Sequence, residues 1–323
     1  MPVTTFVQWI ATEASREDEI REQATRIRAR ISARAREDNL TVRSTPNSGS
    51  FAKRTGLRRH LLGASVVEGQ DVDLPFVVAP RGDDKLNELL DRFSRYTKAS
   101  YPETEQQCTK SSVKLCFTNT KLSYDIVPML ATDRDDRQII LQANGERRET
   151  SVQEHMAFVR ERTRKSQGQA GRVQFNECIR LLKWWREFKQ DQNPILPEIP
   201  SIVIDLIAGK AFDERGVEPT YAQTMASWCG WAAHVIAARQ PIHFGFLPTS
   251  EFSPWQVIDP VHSQNNVVSK WTGLQVDEFA EWFSDARDLW NRALRCDFLD
   301  DDSGSLAVMV ELLGTPFRHH CGD

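Results

Sequence analysis

Two aspartates two positions apart stand at the head of an apolar run, Asp71-Val72-Asp73-Leu74-Pro75-Phe76-Val77-Val78. Such a run reads as a buried strand, and side chains two apart on a strand point to one face. The chain must therefore build a sheet in which one strand carries a carboxylate pair at one end and core residues along the rest. A second short run, Tyr124-Asp125-Ile126-Val127, supplies a third aspartate and is suited to pair beside the first. Three carboxylates converging at one sheet edge form a site for hard divalent cations, which prefer oxygen ligands. Upstream, the turn in Gly49-Ser50-Phe51-Ala52-Lys53-Arg54-Thr55 offers backbone amides and hydroxyls to an anion. Divalent cations beside a phosphate cradle point to phosphoryl or nucleotidyl transfer.

The rest of the chain fits a mixed α/β protein. Residues 15–37 carry Ile20, Ala24, Ile27 and Ile31 at spacings of four and three, the stripe of an amphipathic helix. Its Arg residues are interleaved with Glu and Asp, which favours a solvated helix bracing the sheet over a nucleic-acid face. Ser15 with Asp18 suggests a capping box. Residues 40–43 read as a strand, 85–96 as a helix, 111–117 as a strand, 138–141 as a short strand and Asn144-Gly145 as a tight turn. The acids Asp133, Asp135 and Asp136 read as a solvated loop. Residues 151–162 look helical, and 164–169 read as a loop between lobes.

The second half reads as helical. Phe175, Cys178, Ile179, Leu182, Trp185 and Phe188 outline one apolar face, with Arg180, Lys183 and Glu187 on the complementary side. Lys183 is then either a surface lysine or a compact cation available to a phosphate. After Pro194, Pro197 and Pro200, Ser201 opens a further helix, which it would cap. Residues 220–238 and 276–294 complete the helical pattern, with tryptophans at core spacings. Asp259 to Asn266 reads as a stabilised turn. The tail His319-His320-Cys321 lacks the spacing of a structural zinc site.

Length and charge narrow the partners. At 323 residues the chain can bury a substantial core, as two lobes. A formal net charge of -4 with 27% charged residues argues against a broad platform for long DNA or RNA, but nucleoside triphosphates need only local cations. No apolar run approaches membrane-spanning length, and no signal-peptide core is present. Six cysteines without a CxxC spacing fit reduced thiols in a cytoplasmic protein with no membrane association.

Gly49-Ser50, the Asp71/Asp73 pair and Asp125 resemble the nucleotidyltransferase superfamily of DNA polymerase beta and poly(A) polymerase. The fuller Gly-Ser-Phe-Ala-Lys-Arg-Thr pattern is most similar to the oligoadenylate synthase and cyclic GMP-AMP synthase branch, and more narrowly to bacterial cyclic-oligonucleotide synthases of anti-phage signalling. The resemblance extends through Arg180-Leu181-Leu182-Lys183-Trp184, Pro200-Ser201 and residues 259–266. It departs from the family in residues 58–70, an insertion between the turn and the aspartate pair.

The resemblance implies a bilobal polymerase beta-like fold, with residues 1–165 as a mixed-sheet catalytic lobe and 166–323 as a mostly helical lobe closing the nucleotide cleft. It implies Asp71, Asp73 and Asp125 as catalytic ligands of two Mg²⁺ ions, with Mn²⁺ as a substitute. Gly49 and Ser50 would seat terminal phosphates, with Lys183 and Ser201 at the donor phosphates. Ile202 stands where some relatives carry a base-stacking aromatic, so that role is unassigned. The expected activity is synthesis of a cyclic di- or trinucleotide from nucleoside triphosphates with release of pyrophosphate, under control of a regulatory protein. The competing expectations are a linear oligonucleotide synthase or RNA-end nucleotide-adding enzyme, and a catalytically silent nucleotide-binding regulator.

Overall fold

The computed structural model describes residues 3–62, 65–79, 88–141, 146–169, 171–192, 198–245 and 253–321. The Asn144-Gly145 turn, the breaks at Pro194 and Pro197, and the start of the helix expected from residue 85 lie outside these residues. In chain order the first elements are α1 (Val3–Trp9), α2 (Ala14–Glu37), β1 (Val42–Ser44), α3 (Gly49–Ala52), β2 (Arg59–Leu62), β3 (Ser65–Glu68) and β4 (Gln70–Val78). There follow α4 (Leu89–Ser100), β5 (Glu105–Cys108), β6 (Val113–Phe117), β7 (Leu122–Ala131), β8 (Gln138–Leu141), β9 (Arg147–Thr150) and α5 (Val152–Gln169). The remainder is helical: α6 (Phe175–Gln192), α7 (Ser201–Arg215), α8 (Tyr221–Ala237), α9 (Gly273–Phe298), α10 (Asp302–Leu313) and α11 (Thr315–Cys321).

The chain divides into two compact units. One, the sheet unit, comprises Thr12–Arg58 and Glu68–Ala157; the other, the helical unit, comprises Met1–Ala11, Arg59–Val67 and Phe158–Asp323.

In the sheet unit the strands run in the order β1-β4-β7-β6-β5, with β8 and β9 continuing from β7. The β4–β7 pair is parallel, while β1, β6 and β8 pair antiparallel with their neighbours. Alternation decides which side is core. Val72, Leu74, Phe76 and Val78 of β4 join Tyr124 and Ile126 of β7 and Val113 and Leu115 of β6 in one buried cluster. The helical stripe of Ile20, Ala24, Ile27 and Ile31 covers it, with Leu89, Phe93 and Tyr96 from α4. Each such side chain removed from water contributes about 1.5–3 kcal/mol. Tyr124 is fully buried, and its hydroxyl donates to the Ile20 carbonyl at 3.3 Å. On the opposite face, beyond the acids, Val77 and Met129 make a smaller apolar cluster with Val152.

Local signals hold less well. The N-cap of α2 is Glu13, without a side-chain cap hydrogen bond, so the Ser15–Asp18 box does not form. Residues 164–169, expected as a loop, continue α5, whose regular turns carry Gly168 through at the modest cost of a helical glycine. The tail beyond residue 298, for which the sequence reading names no element, forms α10 and α11. Asp301 caps α10 by accepting from the Gly304 amide, and Gly314 closes it with φ of 86°.

In the helical unit, α6 is buried on nearly every side, from Phe175 through Arg186 with few breaks. Trp184 donates its indole N–H to the Leu313 carbonyl at 2.8 Å, and Phe6 of α1 meets Trp184 edge-on at 5.3 Å. Trp185 packs against Phe283 of α9 at 4.9 Å. Helix α9 begins with a complete capping box between Thr272 and Gln275. Gly209 is required on α7 because a Cβ there would collide with the Phe158 ring.

Candidate active site

The parallel register of β4 and β7 sets Asp73 opposite Asp125 and Asp71 opposite Ser123. The antiparallel register of β6 and β7 adds Lys114 opposite Asp125 and Cys116 opposite Ser123. Paired residues share a face, so two polar rows cross three strands: Asp73–Asp125–Lys114 and Asp71–Ser123–Cys116. Val72, Tyr124 and Leu115 alternate with them and face the core. The carboxylates are thus fixed by the same packing that stabilises the unit.

Each acid has protein partners. Lys114 Nζ lies 2.9 Å from Asp71 Oδ1, and the Ser123 hydroxyl donates to the same oxygen. The Ser112 hydroxyl donates to Asp125 Oδ1 at 2.9 Å. Burial raises the Asp125 carboxyl above its ordinary range, against the Ser112 hydrogen bond and the Lys114 charge, while the charge of Asp71 pushes it further up. Burial pulls the Lys114 ammonium down, but the hydrogen bond and charge of Asp71 and the charge of Asp125 leave it raised.

The Gly-Ser segment lies against this row. Gly49 begins α3 with φ of 75°, a left-handed conformation that favours glycine, and a Cβ there would overlap the Asp73 carboxylate. The Ser50 carbonyl accepts from the amides of Thr55 at 2.9 Å and Gly56 at 3.0 Å, which folds the following residues back as a tight loop. The anion-binding segment and the acids inferred from sequence therefore form one surface.

Among the described residues, no group of three or more His, Cys, Asp or Glu side chains is gathered closely enough to hold a metal ion. The three aspartates lie on one face in two adjacent rows, and their oxygens are partly engaged by Lys114, Ser112 and Ser123. Their donor set nonetheless suits a hard divalent cation: all oxygen, on one face, with a half-buried carboxylate whose charge burial disfavours. Sequence reasoning did not name Lys114, Ser112 or Ser123. The alternation Val113-Lys114-Leu115-Cys116 carried a signal for Lys114, because it places the lysine opposite to the core residues of its own strand.

Lys183 and Ser201 belong to the helical unit. Lys183 does not lie on a solvated helix face: it is buried, and its Nζ is 2.8 Å from Asp205 Oδ1 of α7, the two side chains being 4% and 5% exposed. The complementary side of α6 is packed rather than solvated, so a cation there needs a buried partner. Ser201 is exposed at the first turn of α7; Pro200 occupies the cap position, and the Ser201 hydroxyl accepts from Arg186 Nη1 at 3.3 Å. Arg186 also donates to the Ile199 carbonyl at 2.7 Å, and burial lowers its pKa. Glu187 beside it meets His60 Nδ1 at 3.1 Å. A shallow cavity of about 520 Å³, lined by Arg36, Thr41, Arg43 and Ser44 among others, contains none of the expected site residues. At the acid centre the Lys114 and Asp71 side chains are partly exposed, and Asp73 and Asp125 are half-buried.

Residues 2–162 match the model of the second messenger oligonucleotide or dinucleotide synthetase domain. A cyclic AMP-AMP-AMP synthase of Escherichia coli strain MS 115-1 is 26% identical over 282 residues, which cover 84% of this chain and 83% of that protein. A CBASS oligonucleotide cyclase, CdnC, of E. coli strain KTE188 is 26% identical over 293 residues, covering 87% and 85%. Solved structures of E. coli MS115-1 CdnC, one as a complex with HORMA-deltaN and one with ATP, each align with a TM-score of 0.75 at 24% identity. They cover 95% of this chain and, respectively, 93% and 95% of theirs. The fold is thus the mixed α/β, polymerase beta-like nucleotidyltransferase fold expected from the sequence.

Proposed function

The chain belongs to the second messenger oligonucleotide or dinucleotide synthetase family of nucleotidyltransferases, and we propose that it joins nucleoside triphosphates into a cyclic di- or trinucleotide signal of bacterial anti-phage defence. The observation that carries the chemistry is the register of Asp73 against Asp125, with Asp71 on the same face and Gly49 closed against Asp73.

In this reading Asp71, Asp73 and Asp125 hold two Mg²⁺ ions, for which Mn²⁺ substitutes. When bound, the ions supply charge stabilisation to the donor phosphates and acidify the acceptor hydroxyl. The hydroxyl oxygen forms a bond to the donor α-phosphorus, the bond to the pyrophosphate oxygen breaks, and Asp125 takes the hydroxyl proton. Gly49 and Ser50 seat terminal phosphates. Ser201, exposed at the start of α7, serves the donor phosphates, and Lys183 joins it only in a state in which its buried pair with Asp205 has opened. Residues 1–165 and 166–323 are assigned as the catalytic and helical lobes on the same reading, although Met1–Ala11, Arg59–Val67 and residues 158–165 group with the helical unit.

The HORMA-deltaN complex of the related CdnC supports control by a protein partner of that kind. No helix among the described residues is long and apolar enough to cross a membrane, and the cytoplasm is the proposed location. Incubation of the pure protein, alone and with a HORMA-type partner, with all four NTPs and Mg²⁺ tests the reading. Pyrophosphate and a phosphatase-resistant cyclic product are expected without an RNA primer. Products that keep a phosphatase-sensitive terminal phosphate would select a linear synthase. Strict dependence on an RNA end would select nucleotide addition instead.

A further inference from the structure

We infer that Lys114 is an internal counter-ion that competes with divalent cations for Asp71, so that metal entry depends on an anionic substrate that takes the ammonium. This rests on the proposed reading of Asp71, Asp73 and Asp125 as the metal-binding set. Lys114 Nζ is 2.9 Å from Asp71 Oδ1, and its backbone pairs opposite Asp125. Strand β6 is held on both sides, by β5 and by β7, so its backbone keeps the lysine on the acidic face. The side chain alone has freedom to move, through the rotatable bonds of its stem.

A divalent cation approaching Asp71 meets a positive charge already at that oxygen. Either the ammonium leaves or two cations share one carboxylate, which their repulsion disfavours. The pair is open enough to exchange, with side chains 27% and 57% exposed. Once displaced, the ammonium remains beside Asp125 on the same face and needs a new anion. A triphosphate oxygen is the matching partner, because a lysine binds phosphate as a point charge. Metal and nucleotide then bind cooperatively, and the coupling must be reciprocal. Lys114 would thereby keep the centre from filling with bare metal ions when no nucleotide is present.

Manganese binding, followed by electron paramagnetic resonance and by calorimetry, reads this directly. It would be measured on the full chain with and without a non-hydrolysable ATP analogue. Without nucleotide, Lys114→Met and Lys114→Gln should bind Mn²⁺ roughly three- to fivefold more tightly than wild type, the range that a partly exposed ion pair commands. Lys114→Arg should match wild type. The tightening of Mn²⁺ binding caused by the analogue should shrink in Lys114→Met by a similar factor. Equal or weaker Mn²⁺ affinity in both neutral variants, while Asp73→Asn abolishes binding, would overturn the role of Lys114 and leave the metal reading standing. Undiminished binding in Asp73→Asn would overturn both.

Discussion

The molecule holds two lysine–aspartate pairs of nearly equal length, 2.9 Å for Lys114–Asp71 and 2.8 Å for Lys183–Asp205. The first is partly exposed on the sheet; the second is sealed between α6 and α7. Distance alone therefore says little about what a charge pair does. In the partly exposed pair, water solvates either partner after separation, so the pair can exchange for a metal or a phosphate at small cost. In the sealed pair, removal of one partner strands a charge that water cannot reach.

The largest expected effect lies at the partly exposed site and is catalytic. Asp71→Asn or Asp73→Asn should lower pyrophosphate release by roughly a thousandfold or more, since several kcal/mol of charge stabilisation depend on the metal set. Thermal unfolding should change little. Retained turnover in either variant would remove that aspartate from the mechanism.

The sealed pair predicts the reverse balance. Lys183→Ala should destabilise the protein by about 3–5 kcal/mol, read by urea unfolding, because Asp205 is left buried and charged. Lys114→Ala should cost less than about 1 kcal/mol in the same measurement. Similar losses in both would erase the distinction. A Lys183→Met, Asp205→Leu double variant should recover most of the stability, and nucleotide titration of that variant separates a phosphate role for Lys183 from a structural one.

Gly49→Ala sharpens the comparison from the backbone side. A Cβ at φ of 75° that also overlaps the Asp73 carboxylate should cost about 1–2 kcal/mol of stability. Activity should fall further than stability does, because Asp73 must move. Ser201→Ala should raise the apparent nucleotide requirement by less than about tenfold, the worth of one neutral hydrogen bond. No change in nucleotide titration would leave Ser201 as a helix-end residue only.

The smallest effect has the opposite sign. The folded-state carboxyl of Asp125 is raised by burial, so its protonated form is favoured in the fold relative to the unfolded chain. Its contribution is therefore most favourable at acid pH and is lost as pH rises through the folded value. Asp125→Asn should consequently be slightly more stable than wild type at neutral pH in chelator, with the difference closing as the buffer is acidified. A difference independent of pH would show that burial of the charge is not its source.

What was legible in the sequence follows from range. The pattern of β4, the stripe of α2 and the three aspartates are local or periodic, and the structure brings the acids together on one face. The partners of those acids were not legible, because Ser112, Lys114 and Ser123 are chosen by strand register. The burial of Lys183 was missed for a related reason. Its helix reads as amphipathic until Asp205, on the next helix, supplies the charge that lets the polar side pack. The failed capping box at Ser15 and the continued helix at 164–169 are boundary errors, where weak local preferences yield to the packing of long helices. The closing helices left a signal that was not used: Asp301 before an apolar run and Gly314 after it are helix start and stop residues.

Side chains on β7 alternate between water and core, so the strand works as a ruler with a two-residue scale. Sliding it by a single step against β4 would carry Asp125 beneath the sheet and lift Tyr124 or Ile126 into solvent. The residues that guard against this slip are buried in the core. Activity can therefore be lost through a substitution at Tyr124 or Ile126 with every carboxylate still in the sequence. In such a variant the ingredients of the reaction survive and only their alignment is gone.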